Sequence, residues 1–337
     1  MPAQLIEQFE ALIRRDPARR GLIGTEPEFG ALCPGHLAAA AAHLAACGSH
    51  VAIVTGFFIP KAEPPCAETD GPLGAVLLAS LLEASGIRAT IVTDRHCWPA
   101  VVATVRAGGL RADQVWAGTE QGEGLAEEFF RRGPGQQLSH LIAIERVGPS
   151  HTPQSLCQQR RAGVPPLDEF LQLVPPEHQN RCHNMRGEMI DEHTASLHVL
   201  FEQLDTYHPA AVSIGIGDGG NEIGMGSIPW EEISRRLEGE RAKRIPCRIA
   251  TRWNIIAGTS NWGGCALAAA TLLLRGAVQQ IAPYTREHQQ QVLQTLVAEG
   301  CIVDGVTRRC ECTVDGLPFL TYIQPWDGMR RLLGLPE

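Results

Sequence analysis

Four short runs of apolar, mostly β-branched residues constrain the fold most: VAIVTG from Val51, RATIVTD from Arg88, SHLIAIER from Ser139 and AAVSIGIG from Ala210. Each is continuous rather than alternating, as strands buried on both faces are, and each is followed by a loop and a helical segment. GPLGAVLLASLLEASG, after the first run, reads as a helix that ends at Gly86 and returns the chain to a second, parallel strand. TRWNIIAG and the Ala-rich stretch after SNWGG repeat the pattern near the carboxyl end. The sequence therefore predicts an α/β fold, a doubly wound, mostly parallel sheet with helices on both faces. Further helices are expected in the amphipathic amino-terminal stretch, in LAAAAAHLAAC, in residues 188–204 and at the end of the chain. The 337 residues suit a single large α/β domain over 1–337, with the Pro- and Gln-rich excursion at 148–182 as an insertion or lid within it.

The run AAVSIGIG leads into GIGDGGNEIGMG, Gly215 to Gly226, where six of twelve residues are glycine and the charged ones, Asp218 and Glu222, are acidic. So many glycines carry a large conformational-entropy cost, which implies that the backbone itself is needed there. The loop sits at the carboxyl end of a strand, where open α/β sheets bind ligands. Gly215, Gly217 and Gly220 match a dinucleotide-binding spacing, but the two acids oppose a phosphate unless a cation lies between them. The same oxygens suit Mg²⁺ or Mn²⁺. If a helix begins at Asn221 and Glu222, Asp218 lies in the turn before it and both carboxylates reach one ion. The competing reading is a turn with solvated acids.

A second acidic loop, ETDGPLGA, lies between the first strand and its returning helix. Thr69 or Asp70 can cap that helix, with Pro72 in its first turn. Glu68 and Asp70, together with Asp218 and Glu222, make four oxygen donors on strand-end loops of one sheet, a candidate metal set.

A formal charge of −8 gives no basic surface for nucleic acid, and no apolar stretch is long enough to span a membrane. The amino terminus lacks an apolar signal core. The eleven cysteines contain no CxxC pair and read as buried free thiols, which places the chain in the reducing cytoplasm. Cys310 and Cys312 read as strand residues on one face. His193 and His198, five apart on the expected 188–204 helix, read as helix-surface residues rather than a zinc pair. The expected partner is a small acidic molecule, and self-assembly into a homo-oligomer stays open.

TGF, ETDGPLGA, VTD, IER, NMRG, GIGDGGNEIGMG, AGTSNWGG and VDGLP follow one another in an order that resembles the D-glutamate cyclase family, from about Arg15 to Gly316. The glycine motif and SNWGG are the specific parts. Two features depart from the family pattern: no Asp-Gly pair precedes Asn184, and Cys265 replaces an aromatic after SNWGG. The resemblance implies a lyase that cyclises D-glutamate to 5-oxo-D-proline with loss of water. A divalent metal ion, Mn²⁺ or Mg²⁺, would polarise the γ-carboxylate. Asp94 and Glu145 are the implied proton acceptors, with Asp218 in the catalytic set, although a strand-end acid also serves as a helix cap or ion-pair partner. Arg186 of NMRG is the implied clamp for the α-carboxylate. Thr55, Gly56, Asn184, Gly219, Gly220, Asn221, Ser260 and Asn261 complete the implied substrate contacts; Ser260 lacks a nucleophile elbow and a His partner. Clustered carboxylates also suit a metal-dependent phosphoester hydrolase, or a non-catalytic metal or ligand binder.

Overall fold

The computed structural model describes residues 2–24, 30–118, 122–300 and 302–336, the side chain of Glu123 excepted. Six parallel strands form the central sheet: β1 (His50–Thr55), β2 (Arg88–Thr93), β3 (Val115–Ala117), β4 (His140–Ile144), β5 (Val212–Gly217) and β6 (Trp253–Ile256). Their spatial order is β3-β2-β1-β4-β5-β6. The four runs expected to share a sheet do so. The short β3 was not legible, because VWA is too brief to show a period.

Alternate residues of these strands feed separate cores. Val51 and Ile53 of β1 join the cluster formed with the long helices, while Ala52 and Val54 join the opposite one. This two-residue alternation explains why the strand sequences are apolar throughout.

The first core holds α1 (Pro2–Ile13), α2 (His36–Cys47), α3 (Pro72–Ala84), α4 (Trp98–Ala107), α5 (Ser260–Leu274) and α6 (Arg286–Ala298). Helices α3 and α5 are buried almost all round, hence their uniformly apolar sequences. Glycines let them touch. A Cβ on Gly74 would lie 2.7 Å from Asn261 Cα, and one on Gly264 would lie 3.1 Å from the Gly74 carbonyl.

Three expectations fail locally. Residues 188–204 form no single helix, only a short turn at Asp191–His193 and one helical stretch at His198–Glu202. His193 there packs against Phe58 and His96, and His198 is half-buried rather than on a helix surface. Cys310 and Cys312 occupy a bend instead of a strand, Cys310 Sγ donating to the Val297 carbonyl at 3.2 Å. The 148–182 excursion carries helices at Pro153–Gln158 and Leu167–Leu173, fastened by a small core of Leu156, Phe170, Val174 and Trp230.

Candidate functional site

The order of the sheet reverses between β1 and β4, which makes their carboxyl ends a topological switch point, where a crevice opens. Thr55 and Gly56 end β1, and Glu145 follows β4. A cavity of about 450 Å³ lies there. Its floor includes Glu68, Glu145 and Asp315, and its rim carries Arg19, Lys61, Arg186, Arg241 and Arg308, with Glu188 paired to Lys61 and Arg308 among them.

The two acidic loops meet through Asp70 and Asp218, while Glu68 and Glu222 of the expected four-donor set are not part of the cluster, and Glu145 is. Asp70, Glu145 and Asp218 each place an oxygen within 4.8 Å of the others, and all three are buried. Asp70 does not cap α3. Its Oδ2 accepts from the Ser260 N–H and its Oδ1 from the Asn261 N–H, both at 2.8 Å, so it caps α5. Asn261 reciprocates: its Oδ1 accepts from the Gly71 and Gly74 N–H groups at the start of α3, at 2.9 and 2.7 Å. Each helix start thus receives acceptors from the other, in addition to Thr259 Oγ1, which accepts from the Trp262 N–H of α5 at 3.3 Å, because the two amino termini abut at the sheet edge.

No helix begins at Asn221; the next one starts at Trp230. The Glu222 carboxylate instead accepts from its own loop, Oε1 from the Asp218 and Gly219 N–H groups at 3.1 and 2.6 Å and Oε2 from Gly220 N–H at 2.8 Å. That turns Glu222 into the spine of the glycine loop and leaves Asp218 as the acid facing the cluster. At Gly219 an added Cβ would lie 2.5 Å from the Met185 sulfur, so the close approach explains that glycine.

Asp94 lies outside this cluster. It pairs with the buried Arg146 at 2.6 Å and accepts from the His96, Cys97 and Ala195 N–H groups. Burial pushes its pKa up, but Arg146 and these donors outweigh burial and hold it below the ordinary value. Arg146 also donates to the Gly56 and Ala195 carbonyls at 2.8 Å. The pair braces the β1 end and the 191–197 segment; it does not face the floor.

Glu145 is the strand-end acid that does. Its Oε2 accepts from Ser260 Oγ at 2.5 Å, while Oε1 has no hydrogen-bond partner among the described residues. Ser260 and Asn261 are therefore committed to Glu145 and to the helix caps. Asn184 Oδ1 accepts from the Arg186 and Glu188 N–H groups, which shapes the NMRG turn. Arg186 is exposed on the rim, with Nη2 donating to the Val306 carbonyl at 3.0 Å. Asn221 Nδ2 donates to the His183 carbonyl at 2.8 Å.

Sequence reasoning missed two central residues. Arg20, on the loop after α1, places its guanidinium between Asp218 and Asp315 and forms an ion pair with each. Asp315 belongs to VDGLPF, which forms the turn of a hairpin between Thr313–Val314 and Leu317–Pro318. A guanidinium thus sits where the acidic loops predict a cation. Burial lowers the Arg20 pKa, but Asp218, Asp315, Glu145 and Asp70 together raise it well above the ordinary value. One guanidinium does not balance five carboxylates. The pKa values of Glu68, Asp70, Glu145 and Asp218 all lie well above the ordinary range, through burial first and then through their mutual repulsion.

Backbone strain concentrates here. Of six non-glycine residues with positive φ among the described residues, Arg19, Glu145, Arg308 and Asp315 line this cavity. Such conformations cost about 1–3 kcal/mol each and persist where surrounding structure enforces them, which marks the cavity as more than a surface dent. Thr55 Oγ1, Thr69 Oγ1 and Asp315 Oδ2 are buried without hydrogen-bond partners. Asp70, Glu145 and Asp218 by themselves form an all-oxygen donor set of the kind that suits Mg²⁺ or Mn²⁺. Hydrated or polar ligands meet the same demand.

The fold and site together define a doubly wound α/β protein whose switch-point cavity has an acidic floor and a cationic rim. The chain belongs to the family described as D-glutamate cyclase-like, C-terminal, which it matches over residues 9–168 and 170–325. It is also 30% identical over 344 residues to the D-glutamate cyclase, mitochondrial, of Homo sapiens, an alignment covering 94% of this chain and 50% of that protein. The chain thus spans about half the length of that relative.

Proposed function

We propose that this chain is a lyase that closes D-glutamate to 5-oxo-D-proline and water in the switch-point cavity. Membership of the cyclase-like family supports the reading, and the observation that carries it is the charge segregation of the cavity. An amine-bearing dicarboxylate has one cationic end and two anionic ones. The acidic floor of Glu68, Glu145 and Asp315 suits the ammonium, while Arg186 and Arg241 at the rim suit the carboxylates; Lys61 and Arg308 there already pair with Glu188.

Ring closure forms a C–N bond and breaks a C–O bond. Two protons leave the ammonium nitrogen and two arrive on the departing oxygen, so the reaction is balanced without a net proton. Glu145 is the group placed to carry them. It lies at the cavity, its pKa is raised by burial and then by Glu222, Asp70 and Glu68, and its Oε1 is unengaged. Ser260 orients it through Oε2. Asp70, Glu145 and Asp218 are the residues that would hold a divalent cation, which when bound would neutralise and polarise the γ-carboxylate. Asp94, tied to Arg146, keeps the β1 end in place rather than exchanging protons.

The test is release of 5-oxoproline from D-glutamate by the purified chain, with L-glutamate beside it. Glu145→Gln, of nearly equal volume, should lower kcat about 10²–10⁴-fold, the range for loss of a positioned acid–base group. Turnover by Glu145→Gln at the native rate would remove the proposed shuttle, and no turnover of D-glutamate by the native chain would remove the reaction.

A further inference from the structure

A second cleft, of about 420 Å³, opens beside the amino-terminal end of β6, and the 148–182 excursion supplies one wall. None of that excursion lines the acidic cavity. Among the described residues no aspartate or glutamate lines the cleft, although the chain carries a formal charge of −8. Instead Arg160, Arg248, Arg252 and His36 line it.

Their donors are available and partly preorganised. Arg252 is held with its guanidinium 5.2 Å from the centre of the Trp253 ring. Among the described residues neither Arg252 nor Arg160 has a carboxylate partner. Arg248 is anchored through Nε to Asn180 Oδ1 at 3.0 Å and paired through Nη1 with Glu202, which leaves Nη2 for a ligand. His36 Nδ1 accepts from the Asn254 N–H at 2.9 Å, so the neutral ring carries its proton on Nε2 and donates from there.

We propose that this cleft binds a small, multiply charged phosphate anion. Two guanidiniums without a carboxylate partner among the described residues, Arg160 and Arg252, with the Glu202-paired Arg248 beside them, match the charge density and oxygen geometry of such an ion. Among the described residues no Phe, Tyr or Trp side chain lines the cleft, so it offers a nucleobase no such ring to stack on. The ligand is therefore compact rather than a stacked nucleotide. The bound anion also rests against the glycine loop: Gly226 and Ser227 line the cleft, while Asp218 of the same run belongs to the acidic cluster. The loop has little slack between the two, since a Cβ on Gly215 would lie 2.5 Å from Gly224 Cα. The inference is independent of the reaction proposed for the acidic cavity.

Titration calorimetry with inorganic pyrophosphate at fixed ionic strength tests it on the native chain. One saturable site per chain is expected. Arg160→Gln with Arg252→Gln should weaken binding about a hundredfold, roughly tenfold for each charged hydrogen-bonding group lost. Arg186→Gln, at the rim of the other cavity, should leave the affinity unchanged. Circular dichroism of each variant reads out folding separately. No saturable binding, unchanged affinity in the double variant, or loss in Arg186→Gln would each overturn the assignment. Equal affinity for citrate would overturn the phosphate preference and make the cleft a carboxylate site.

Discussion

Replacing Arg20 by Gln keeps much of the side chain's length and polarity but removes the guanidinium that, among the described residues, pairs with Asp218 and Asp315. The Arg20 side chain is only 15% exposed and its two partners 1%, so screening by water is weak. Removing one member of such a buried ion pair costs about 3–5 kcal/mol, because the other charge is left uncompensated. The loss should depend on pH, and its sign follows from the neighbours. Glu68, Asp70, Glu145 and Asp218 already have folded pKa values raised by burial and by one another. A carboxyl raised in the folded state contributes stability that is full below its unfolded pKa and lost as pH rises through the folded one. Without Arg20 those folded values rise further, so the penalty extends over a wider range. Urea unfolding monitored by circular dichroism should show the full deficit near about pH 8 and a small one near about pH 4, where the acids are protonated in both proteins. A deficit of equal size at both pH values would show that Arg20 acts by packing alone, and no deficit would mean that its ion pairs are not formed in solution.

Arg146→Met should destabilise by about 3–5 kcal/mol at neutral pH by leaving Asp94 buried and unpaired. Asp94 is held below its ordinary 3.8, so the native pair's contribution is present above that value and lost as pH falls through the folded pKa; an undiminished gap between variant and native chain in acid would contradict this. Asn261→Ala strips the acceptor from the Gly74 N–H, leaves Gly71 only Asp70 Oδ1 at 3.1 Å, and should lower the unfolding free energy by about 1–2 kcal/mol, read from urea midpoints, while an unchanged midpoint would mean that water caps α3 equally well. Asp218→Asn should weaken Mn²⁺ binding measured by calorimetry about tenfold or more, since it removes one of three buried anionic donors while the loop's N–H bonds to Glu222 remain; native affinity in the variant would exclude Asp218 as a ligand.

The architecture was legible because it rests on local patterns. Continuous β-branched runs separated by helical stretches specify parallel strands, and parallel strands bring all their carboxyl ends to one edge. The meeting of ETDGPLGA with GIGDGGNEIGMG followed from that rule, whereas of the two strand-end acids the resemblance implied, only Glu145 stands beside them. What each acid does there was decided by contacts that no local pattern encodes. Asp70 caps a helix that begins 190 residues away, because α3 and α5 pack at their glycines. Glu222 folds back onto three N–H groups because the chain after it does not become a helix. Asp94 and Glu145 look alike in sequence, and a buried arginine claims only the first. In DPARRG the turn is local, Asp16 accepting from the Arg20 and Gly21 N–H groups at 2.9 and 2.8 Å. The destination of the guanidinium is not, since Arg20 reaches an acid 295 residues further on. Sequence thus determined that acids would converge and would call for a positive charge. Only the docking of the segment after α1 over the sheet edge, fastened where Gly258 N–H bonds the Ile13 carbonyl at 2.9 Å, decided that an arginine of the chain itself supplies part of it, because charge balance in a buried site is set by three-dimensional proximity and not by spacing along the chain.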